Sequence, residues 1–282
     1  MSSCYCFTER DIQRLERQAI ELRHDIISMI HKAKAGHPGG SLSAVDMVTA
    51  LYFHVMNINP TKPQWKDRDR FVLSKGHSCP AVYAALARRG YFSPELLNTL
   101  RNYGSPLQGH PDMNKLPGID MSTGSLGNGF SCALGMAMSA QMHHQNYMTY
   151  VMLGDGECQE GIVWEAAMAA NHHKLKNLIA IVDCNGVQIN GFTNDIMTIE
   201  PLADKWKSFG WRTVEINGHD MADILRGLHT ARTMRWPTVI LMRTVKGKGV
   251  SFMEDESKWH GMAPSDDELL QAITEIDKGG IL

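Results

Sequence analysis

The sequence predicts an α/β fold built on an open, mostly parallel sheet with helices on both faces. Two apolar runs, Tyr150–Leu153 and Leu178–Val182, are separated by a helical run, and a polar turn follows each of them. This layout is typical of a βαβ unit. Strand-like and helical runs also alternate before and after this unit, and such alternation favours parallel strands covered by helices.

The length, charge and hydropathy of the chain fit one domain. The chain has 282 residues and a net charge of −2, and no basic block concentrates its positive charge. Nucleic-acid binding is therefore not predicted, since a positive face supplies most of that affinity. No run approaches the ~18 consecutive apolar residues of a membrane span, and the first residues lack the apolar core of a signal peptide. We expect a single domain over residues 1–282 in a cytoplasmic protein.

The cysteines and the adjacent histidines do not form metal motifs. The six cysteines, at positions 4, 6, 79, 132, 158 and 184, lack the spacing of a zinc ribbon or of a disulfide framework. Cys4 and Cys6 come nearest to a motif, but they lie at a terminus that we expect to fray. The histidines of His143-His144 and His172-His173 are adjacent rather than one helical turn apart, so solvated helix ends are favoured over metal sites.

Two helices joined by a loop come first along the chain. Apolar residues recur at helical spacing from Glu9 to Ala35, with Thr8 placed to cap the start and Gly36 to end the helix. The loop Gly36–Ser41 leads into a second helix over Leu42–Met56. This loop contains a histidine, the one side chain in it that is suited to acid–base chemistry.

A short strand and a long loop follow. Phe71–Leu73 reads as a strand, and Ser74–His77 follows its carboxyl end, which is a ligand position in a parallel sheet. Helices are expected over Pro80–Arg89 and Pro94–Tyr103. Gln108–Pro111 lies in the long loop beyond them, and a loop of that length inside a compact domain is usually functional or disordered.

The elements around the central unit continue the alternation. A helix over Ser125–Met142 carries small residues at intervals of four, which favours close packing against another backbone. The turn Thr123–Leu126 precedes it. Later elements are predicted as helix, strand, helix and strand over Pro201–Phe209, Arg212–Ile216, Met221–Arg235 and Thr238–Val245. A capping box at Ser265 starts a terminal helix.

The turns after the two central strands predict a diphosphate and metal site. Gly154-Asp155-Gly156 stands between a strand and a helix, where glycine admits a close ligand and the helix N-terminus offers free N–H groups. Because Asp155 would repel a diphosphate, a divalent cation between them is implied. Asn185 offers an amide oxygen from the next turn, and Val187 offers a backbone carbonyl. These ligands suit Mg²⁺ and, less strictly, Ca²⁺.

Competing nucleotide motifs fit poorly. A dinucleotide fingerprint needs its third glycine three residues after the second, whereas Gly161 comes five after Gly156. The Lys246–Gly249 segment lacks the upstream glycine and the Ser/Thr of a P-loop. Its lysines fit either an anion site or a solvated turn.

Several motifs in order resemble the N-terminal half of a transketolase. Gly154-Asp155-Gly156, with Asn185 thirty residues after the aspartate, is similar to the thiamine diphosphate signature, and Gln159-Glu160-Gly161 continues it as transketolases do. Other motifs occur in the order that the family shows: Gly36-His37-Pro38-Gly39, Ser74-Lys75-Gly76-His77, Gly109-His110-Pro111, Thr123-Gly124-Ser125-Leu126-Gly127 and Trp259-His260-Gly261. Several motifs in order are far more specific than any one of them.

The resemblance implies a role for each matching residue. The implied metal ligands are Asp155, Asn185 and the carbonyl of Val187. The implied cofactor-binding residues are His77, Gly124, Ser125, Leu126, Gly156, Glu160, Asn185 and His260. The implied catalytic residues are His37, His77, His110 and Glu160. The histidines would exchange protons with sugar hydroxyls. Glu160 and Glu165 match acids near an interface that connects two active sites, although an exposed helix charge explains Glu165 equally well.

The resemblance also implies a reaction and a partner. A transketolase transfers a two-carbon ketol unit from a ketose, or ketose phosphate, to an aldose through a carbanion on thiamine diphosphate. The sequence stops where a full-length transketolase continues into its pyrimidine-binding domain. We therefore expect a partner chain to supply that domain and the C-terminal domain, in a dimer of heterodimers that acts on sugars or sugar phosphates.

Two alternatives share this fold. One is a subunit of another thiamine diphosphate enzyme, such as a deoxyxylulose phosphate synthase or a 2-oxo acid dehydrogenase. The histidines at 37, 77 and 110 argue against a decarboxylase, which has less need to move protons among sugar hydroxyls. The other alternative is a non-catalytic binding or regulatory subunit.

Overall fold

The computed structural model describes residues 7–279, and these contain the predicted parallel sheet. In chain order the strands are β1 (Arg70–Leu73), β2 (Thr149–Gly154), β3 (Leu178–Cys184), β4 (Val187–Gln188), β5 (Gly191–Phe192), β6 (Arg212–Asn217) and β7 (Thr238–Arg243). The main sheet has the order β1-β2-β3-β7-β6 with every neighbouring pair parallel, while β4 and β5 form a small antiparallel hairpin. Cys4 and Cys6 lie outside the described residues.

Helices connect the strands. The α-helices of the described region are α1 (Glu9–Ala33), α2 (Pro38–Ala50), α3 (Cys79–Arg88), α4 (Asn128–Met142), α5 (Gly161–His172), α6 (Thr193–Ile196), α7 (Leu202–Ser208), α8 (Met221–Thr233) and α9 (Asp266–Gly279). Short 3₁₀ turns cover Gly76–Ser78, Pro94–Thr99, Gly156–Gln159 and Ser257–His260, and a π turn covers Leu51–Val55. Within residues 7–279, no helix is long and apolar enough to cross a membrane.

The sheet separates two apolar layers. Successive strand residues point to opposite faces, so Met152 and Ile181 pack with α1, α2, α3, α8 and α9. Val151 and Val182 pack on the other face with α4, α5 and α7. The predicted fold class, a mostly parallel sheet with helices on both faces, is confirmed.

Several predicted helix ends are also confirmed. The Thr8 side chain accepts a hydrogen bond from the backbone N–H of Asp11 and caps α1. The Ser265 hydroxyl accepts one from the N–H of Glu268 at the start of α9. Both adjacent histidine pairs lie exposed at helix ends, as the sequence predicted.

Two predicted elements differ clearly from the structure. Helix α2 begins at Pro38 rather than at Leu42, and its first turn packs closely against the turn at Ser257–His260: a Cβ on Gly39 would lie 3.0 Å from the carbonyl oxygen of Trp259. The helix predicted over Pro94–Tyr103 is only a 3₁₀ turn. The chain reverses at Arg101, where φ is 62° and the N–H donates to the carbonyl of Leu107.

Trp206 provides a test of the second apolar layer. It is fully buried, and its ring lies 4.9 Å from Trp211 and 5.3 Å from Trp164 between centroids. Trp206→Ala should lower the free energy of unfolding by about 3–5 kcal/mol because it leaves a cavity. Trp206→Phe should cost less, since the indole N–H has no hydrogen-bond partner within residues 7–279. Urea unfolding measures both values.

The matched control for this prediction is Trp65, which is 37% exposed. Trp65→Ala should change the free energy of unfolding by less than about 1 kcal/mol. Equal losses for the alanine variants at 65 and 206 would contradict the assignment of Trp206 to the core.

Candidate functional site

The carboxyl edge of the sheet brings together the predicted site residues. Ser74-Lys75 follows β1. Gly154 ends β2 in register with Asp183 of β3, and Asp155-Gly156 follows directly. Strands that run parallel end at the same edge, where open α/β sheets bind their ligands.

A buried carboxylate joins these strand ends. Asp183 accepts hydrogen bonds from Lys75 Nζ, from the Ser43 hydroxyl at 2.6 Å, from Asn185 Nδ2 at 3.0 Å and from the Thr244 hydroxyl. Burial opposes ionisation, but Lys75 and these hydrogen bonds bring the pKa of Asp183 below its usual value. The sequence places Asp183 directly after the apolar run Leu178–Val182, in the turn that also holds Asn185 and is expected to face the ligand. It did not indicate that this carboxylate joins the strand ends.

Asp155 is buried beside the asparagine turn. Its Oδ1 accepts the N–H of Gly156 and its Oδ2 accepts the N–H of Gly186, both at 2.7 Å. Burial, together with the neighbouring Asp183, raises the pKa of Asp155 despite these hydrogen bonds. A cation at this carboxylate would offset that cost, because opposite charge favours the ionised form.

The other two predicted metal ligands, Asn185 and Val187, come shortly after Asp183 in the chain. Asn185 Oδ1 accepts the N–H of Val187 at 3.1 Å, and the Val187 carbonyl accepts Lys246 Nζ at 2.9 Å. Carbonyl and amide oxygens have two lone pairs, so each can accept a further interaction.

Lys246 is a site residue rather than part of a solvated turn. It is only 2% exposed, and its Nζ also lies 2.9 Å from His260 Nδ1. Burial, with the charge of Lys75 nearby, lowers the pKa of Lys246 to about 8. The anion-site interpretation of this lysine therefore fits the structure, and the solvated-turn interpretation is wrong. Gly247 and Gly249, which follow it, gave no indication of its burial.

The residues present fit a metal-bound diphosphate. In the described residues, no group of three or more His, Cys, Asp or Glu side chains is placed to hold a metal ion. A cation here would therefore depend on the mixed oxygen set of Asp155, Asn185 and Val187, together with ligand oxygens. Lys75 and Lys246 add two buried positive charges next to this set. An anionic ligand that shares a hard cation matches this combination.

Three of the predicted histidines form a cluster beside Lys246. The ring centroids of His37, His77 and His260 lie 5.2–5.4 Å apart. His37 precedes α2, His77 lies in the turn after β1, and His260 ends the turn before α9. His110 lies next to the Thr123–Leu126 turn, where a Cβ on Gly124 would be 3.1 Å from its ring.

The histidines are neutral at pH 7. Burial and then Arg101 lower the pKa of His37 to about 4, and burial and then Lys246 lower that of His260 to about 3. Burial also lowers the pKa values of His77 and His110. Each imidazole can therefore donate one hydrogen bond and accept another.

Glu157 holds the glycine turns in place. Its buried carboxylate accepts the N–H groups of Gly127 at 2.8 Å and Gly154 at 3.0 Å, and the hydroxyl of Ser74. Burial raises its pKa. Glu157 was not predicted from the sequence, although an acid two positions after Asp155 was a visible signal.

Glu160 lies apart from the histidines. Glu160 is exposed at the start of α5 and lies beside Gly127. A Cβ on Gly127 would lie 3.3 Å from the Cβ of Glu160. Glu165 is also exposed. The described chain therefore presents both acids to solvent rather than to the histidine cluster.

This fold and site define the diphosphate-binding part of a cofactor-dependent enzyme. The family model for the transketolase thiamine diphosphate binding domain matches residues 16–277, so the chain belongs to the transketolase family. Both the predicted fold and the predicted family are confirmed.

Relatives of the same extent are named as subunits of transketolases. The chain is 45% identical to one such subunit of the apulose-4-phosphate transketolase of Phocaeicola vulgatus, over 95% of each chain. It is 47% identical to a 6-deoxy-6-sulfo-D-fructose transketolase subunit of Clostridium sp., over 94% of this chain and 97% of the relative.

A solved transketolase has the same fold but is longer. The enzyme from Campylobacter jejuni matches with a TM-score of 0.90 and 33% identity over 94% of this chain. The match covers only 43% of the solved chain.

Protonation of the histidine cluster should destabilise the chain below neutral pH. His37 and His260 have folded-state pKa values of about 4 and about 3, below the ordinary value of 6.5. The unfolded chain then binds more protons in this window, so the free energy of unfolding should fall as the pH drops from about 6.5 to about 4. Urea unfolding over a pH series measures this slope.

Replacing both His37 and His260 with asparagine should flatten the dependence of the free energy of unfolding on pH. Trp65→Phe, an exposed change that removes no titratable group, supplies the control and should keep the wild-type slope. A double variant with the wild-type slope would show that other groups cause the pH dependence.

Proposed function

We propose that this chain is the diphosphate-binding subunit of a two-subunit transketolase. The observation that carries the proposal is the juxtaposition, at one sheet edge, of the oxygen donors of Asp155, Asn185 and Val187 with a cluster of neutral histidines. Family membership and the names of relatives of equal extent support it.

In this proposal the metal is Mg²⁺, or Ca²⁺, and it binds the Asp155 carboxylate, the Asn185 amide oxygen and the Val187 carbonyl. Lys246 Nζ, which now bonds the Val187 carbonyl, lies where it can also balance the charge of a diphosphate. The proposed cofactor-binding residues are His77, Gly124, Ser125, Leu126, Gly156, Glu160, Asn185 and His260. Thiamine diphosphate, when bound, supplies the electron sink for breaking and forming a carbon–carbon bond.

The histidines move protons in this proposal. His37, His77 and His110 are neutral, so each can accept a proton from a sugar hydroxyl and return it to another. Burial keeps their pKa values low, and positive charges near them lower these values further. An anionic group bound at Lys75 and Lys246 would weaken the field on His37 and His77 and bring their pKa values closer to neutral, where proton transfer in both directions is efficient.

The surface around the site favours a partner chain. A groove of about 1110 Å³ lies beside His260 and is lined in part by Ile189 and Met262, both exposed. Further exposed large apolar side chains lie on the adjacent segment, at Phe192, Ile196 and Met197. Contiguous exposed apolar surface is typical of protein interfaces. We propose that the pyrimidine-binding subunit covers this surface, and that Glu160 and Glu165 face a second copy in a dimer of heterodimers.

The substrates proposed are a ketose donor with an anionic group and an aldose acceptor. The names of two relatives specify a phosphorylated and a sulfonated sugar. Either anion could extend beyond the histidine cluster toward the partner.

Asp155→Asn should weaken cofactor binding. The amide keeps the size of the side chain but removes the negative charge that a divalent cation requires. Calorimetric titration with thiamine diphosphate should give an affinity at least about tenfold lower in the presence of Mg²⁺, a change of ~1.4 kcal/mol. Asp204→Asn, an exposed change on α7, should leave the affinity unchanged. An Asp155→Asn variant that still binds with wild-type affinity would argue against the metal site.

Transketolase turnover should require a second polypeptide. The chain, mixed with thiamine diphosphate, Mg²⁺ and a ketose–aldose pair, should transfer ketol units only when a C-terminal transketolase half is added. His37→Ala in the mixture should lower kcat by roughly 10²–10⁴-fold, since one positioned acid–base group contributes that much. Appreciable turnover by the chain alone would refute the two-subunit proposal.

A further inference from the structure

We propose that His219, held by the buried Asp46, is a positioning residue that fixes Lys246 through the backbone of Val245. The inference rests on the cofactor site proposed above, because Lys246 is the charged group that this arrangement directs into that site. His219 lies on the turn between β6 and α8. Its hydrogen bonds reach the lysine only through the main chain.

Asp46 is the centre of a buried ion network. It lies on α2, and its carboxylate accepts two hydrogen bonds from Arg23 of α1, at 2.8 Å and 2.6 Å. Its Oδ2 also accepts Nδ1 of His219 at 2.8 Å. Burial opposes ionisation, but Arg23 and His219 lower the pKa of Asp46 to about 2. The carboxylate is therefore ionised and acts only as an acceptor.

These partners define the state of the His219 ring. Nδ1 faces a carboxylate and must carry the proton, whereas Nε2 accepts the N–H of Val245 at 2.9 Å and must be unprotonated. The ring is thus a neutral connector with one donor and one acceptor. It joins α2 to the segment that follows β7.

The same network holds the backbone on the far side of the lysine. Arg23 Nε donates to the carbonyl of Lys248 at 3.4 Å, and the N–H of Gly247 donates to the carbonyl of Gly39 at 3.0 Å. Gly247 has a φ of 85°, and a Cβ there would lie 2.3 Å from the carbonyl oxygen of Met253. The main chain is therefore anchored on both sides of Lys246.

The position of the Lys246 side chain depends on a fixed backbone. Its long side chain has many rotamers, yet its buried Nζ bonds both the Val187 carbonyl and His260. Loss of the anchor at Val245 would leave a partly buried N–H without an acceptor and let the segment shift. The charge of Lys246 would then no longer be held at the proposed metal ligand.

Two variants of His219 and one control separate positioning from general stability. His219→Ala removes the acceptor for Val245. His219→Gln keeps a neutral side chain that can donate to Asp46 through its NH₂ group and accept from Val245 through its carbonyl oxygen, so it should restore the anchor. The control is His24→Ala, which removes a histidine–aspartate pair of the same 2.8 Å length between α1 and α9.

Amide hydrogen exchange of the full chain without cofactor tests the anchor directly. Exchange over residues 244–249 should be about tenfold faster in His219→Ala, close to wild type in His219→Gln and unchanged in His24→Ala. Unchanged exchange in His219→Ala, or an equal increase in His24→Ala, would overturn the proposal. If the alanine variant does not fold, His219→Asn gives the same comparison, because its side chain is shorter than that of glutamine.

Cofactor affinity tests whether loss of the His219 anchor weakens binding at Lys246. Titration with thiamine diphosphate and Mg²⁺ should show about tenfold weaker binding for His219→Ala, with recovery in His219→Gln. Wild-type affinity in His219→Ala, despite faster exchange, would also overturn the proposal. The titration is run with the C-terminal transketolase half present. Failure of the wild-type chain to bind under these conditions would count against the proposed function, and hydrogen exchange would still decide whether His219 anchors the segment.

Discussion

The buried ion pair between Lys75 and Asp183 is the interaction on which the arrangement of the site depends. It joins the carboxyl ends of β1 and β3, and Asp183 also binds Ser43 and Asn185. Removing one member of a buried pair leaves an uncompensated charge and typically costs about 3–5 kcal/mol. Asn185 is oriented by its hydrogen bond to Asp183. The Lys75–Asp183 pair therefore helps to position the predicted metal ligands, although neither residue is itself a predicted ligand.

Charge is arranged asymmetrically around this pair. Asp155 offers negative charge at one point of the edge, and Lys75 with Lys246 offers positive charge close by. A metal–diphosphate ligand carries the complementary charges, a cation that suits Asp155 and an anion that suits the two lysines. The histidines remain neutral because they are buried and because the nearby lysines lower their pKa values further, which leaves their ring nitrogens available to accept protons. The same two lysines therefore affect both the binding of an anion and the acid–base state of the cluster.

The sequence was sufficient for the fold and for part of the site. Alternating strand and helix patterns predicted the sheet, and residue types at the strand ends predicted Asp155 and Asn185. Residues whose partners are distant in sequence were not predictable: Ser43 and Asp183 are 140 residues apart, and Asp46 and His219 are 173 residues apart. The start of α2 was misplaced for a related reason. Glycine disfavours helices locally, but only glycine permits the close approach to Trp259.

The exposed apolar side chains after Val187 have a consequence for the cell that makes this chain. Ile189, Phe192, Ile196 and Met197 present surface that an unassembled copy would offer to any other exposed apolar surface. If the chain pairs with a second subunit as proposed, synthesis of the two polypeptides in matched amounts would limit the lifetime of such copies. Gene order and translational coupling would then affect how much of the proposed enzyme assembles.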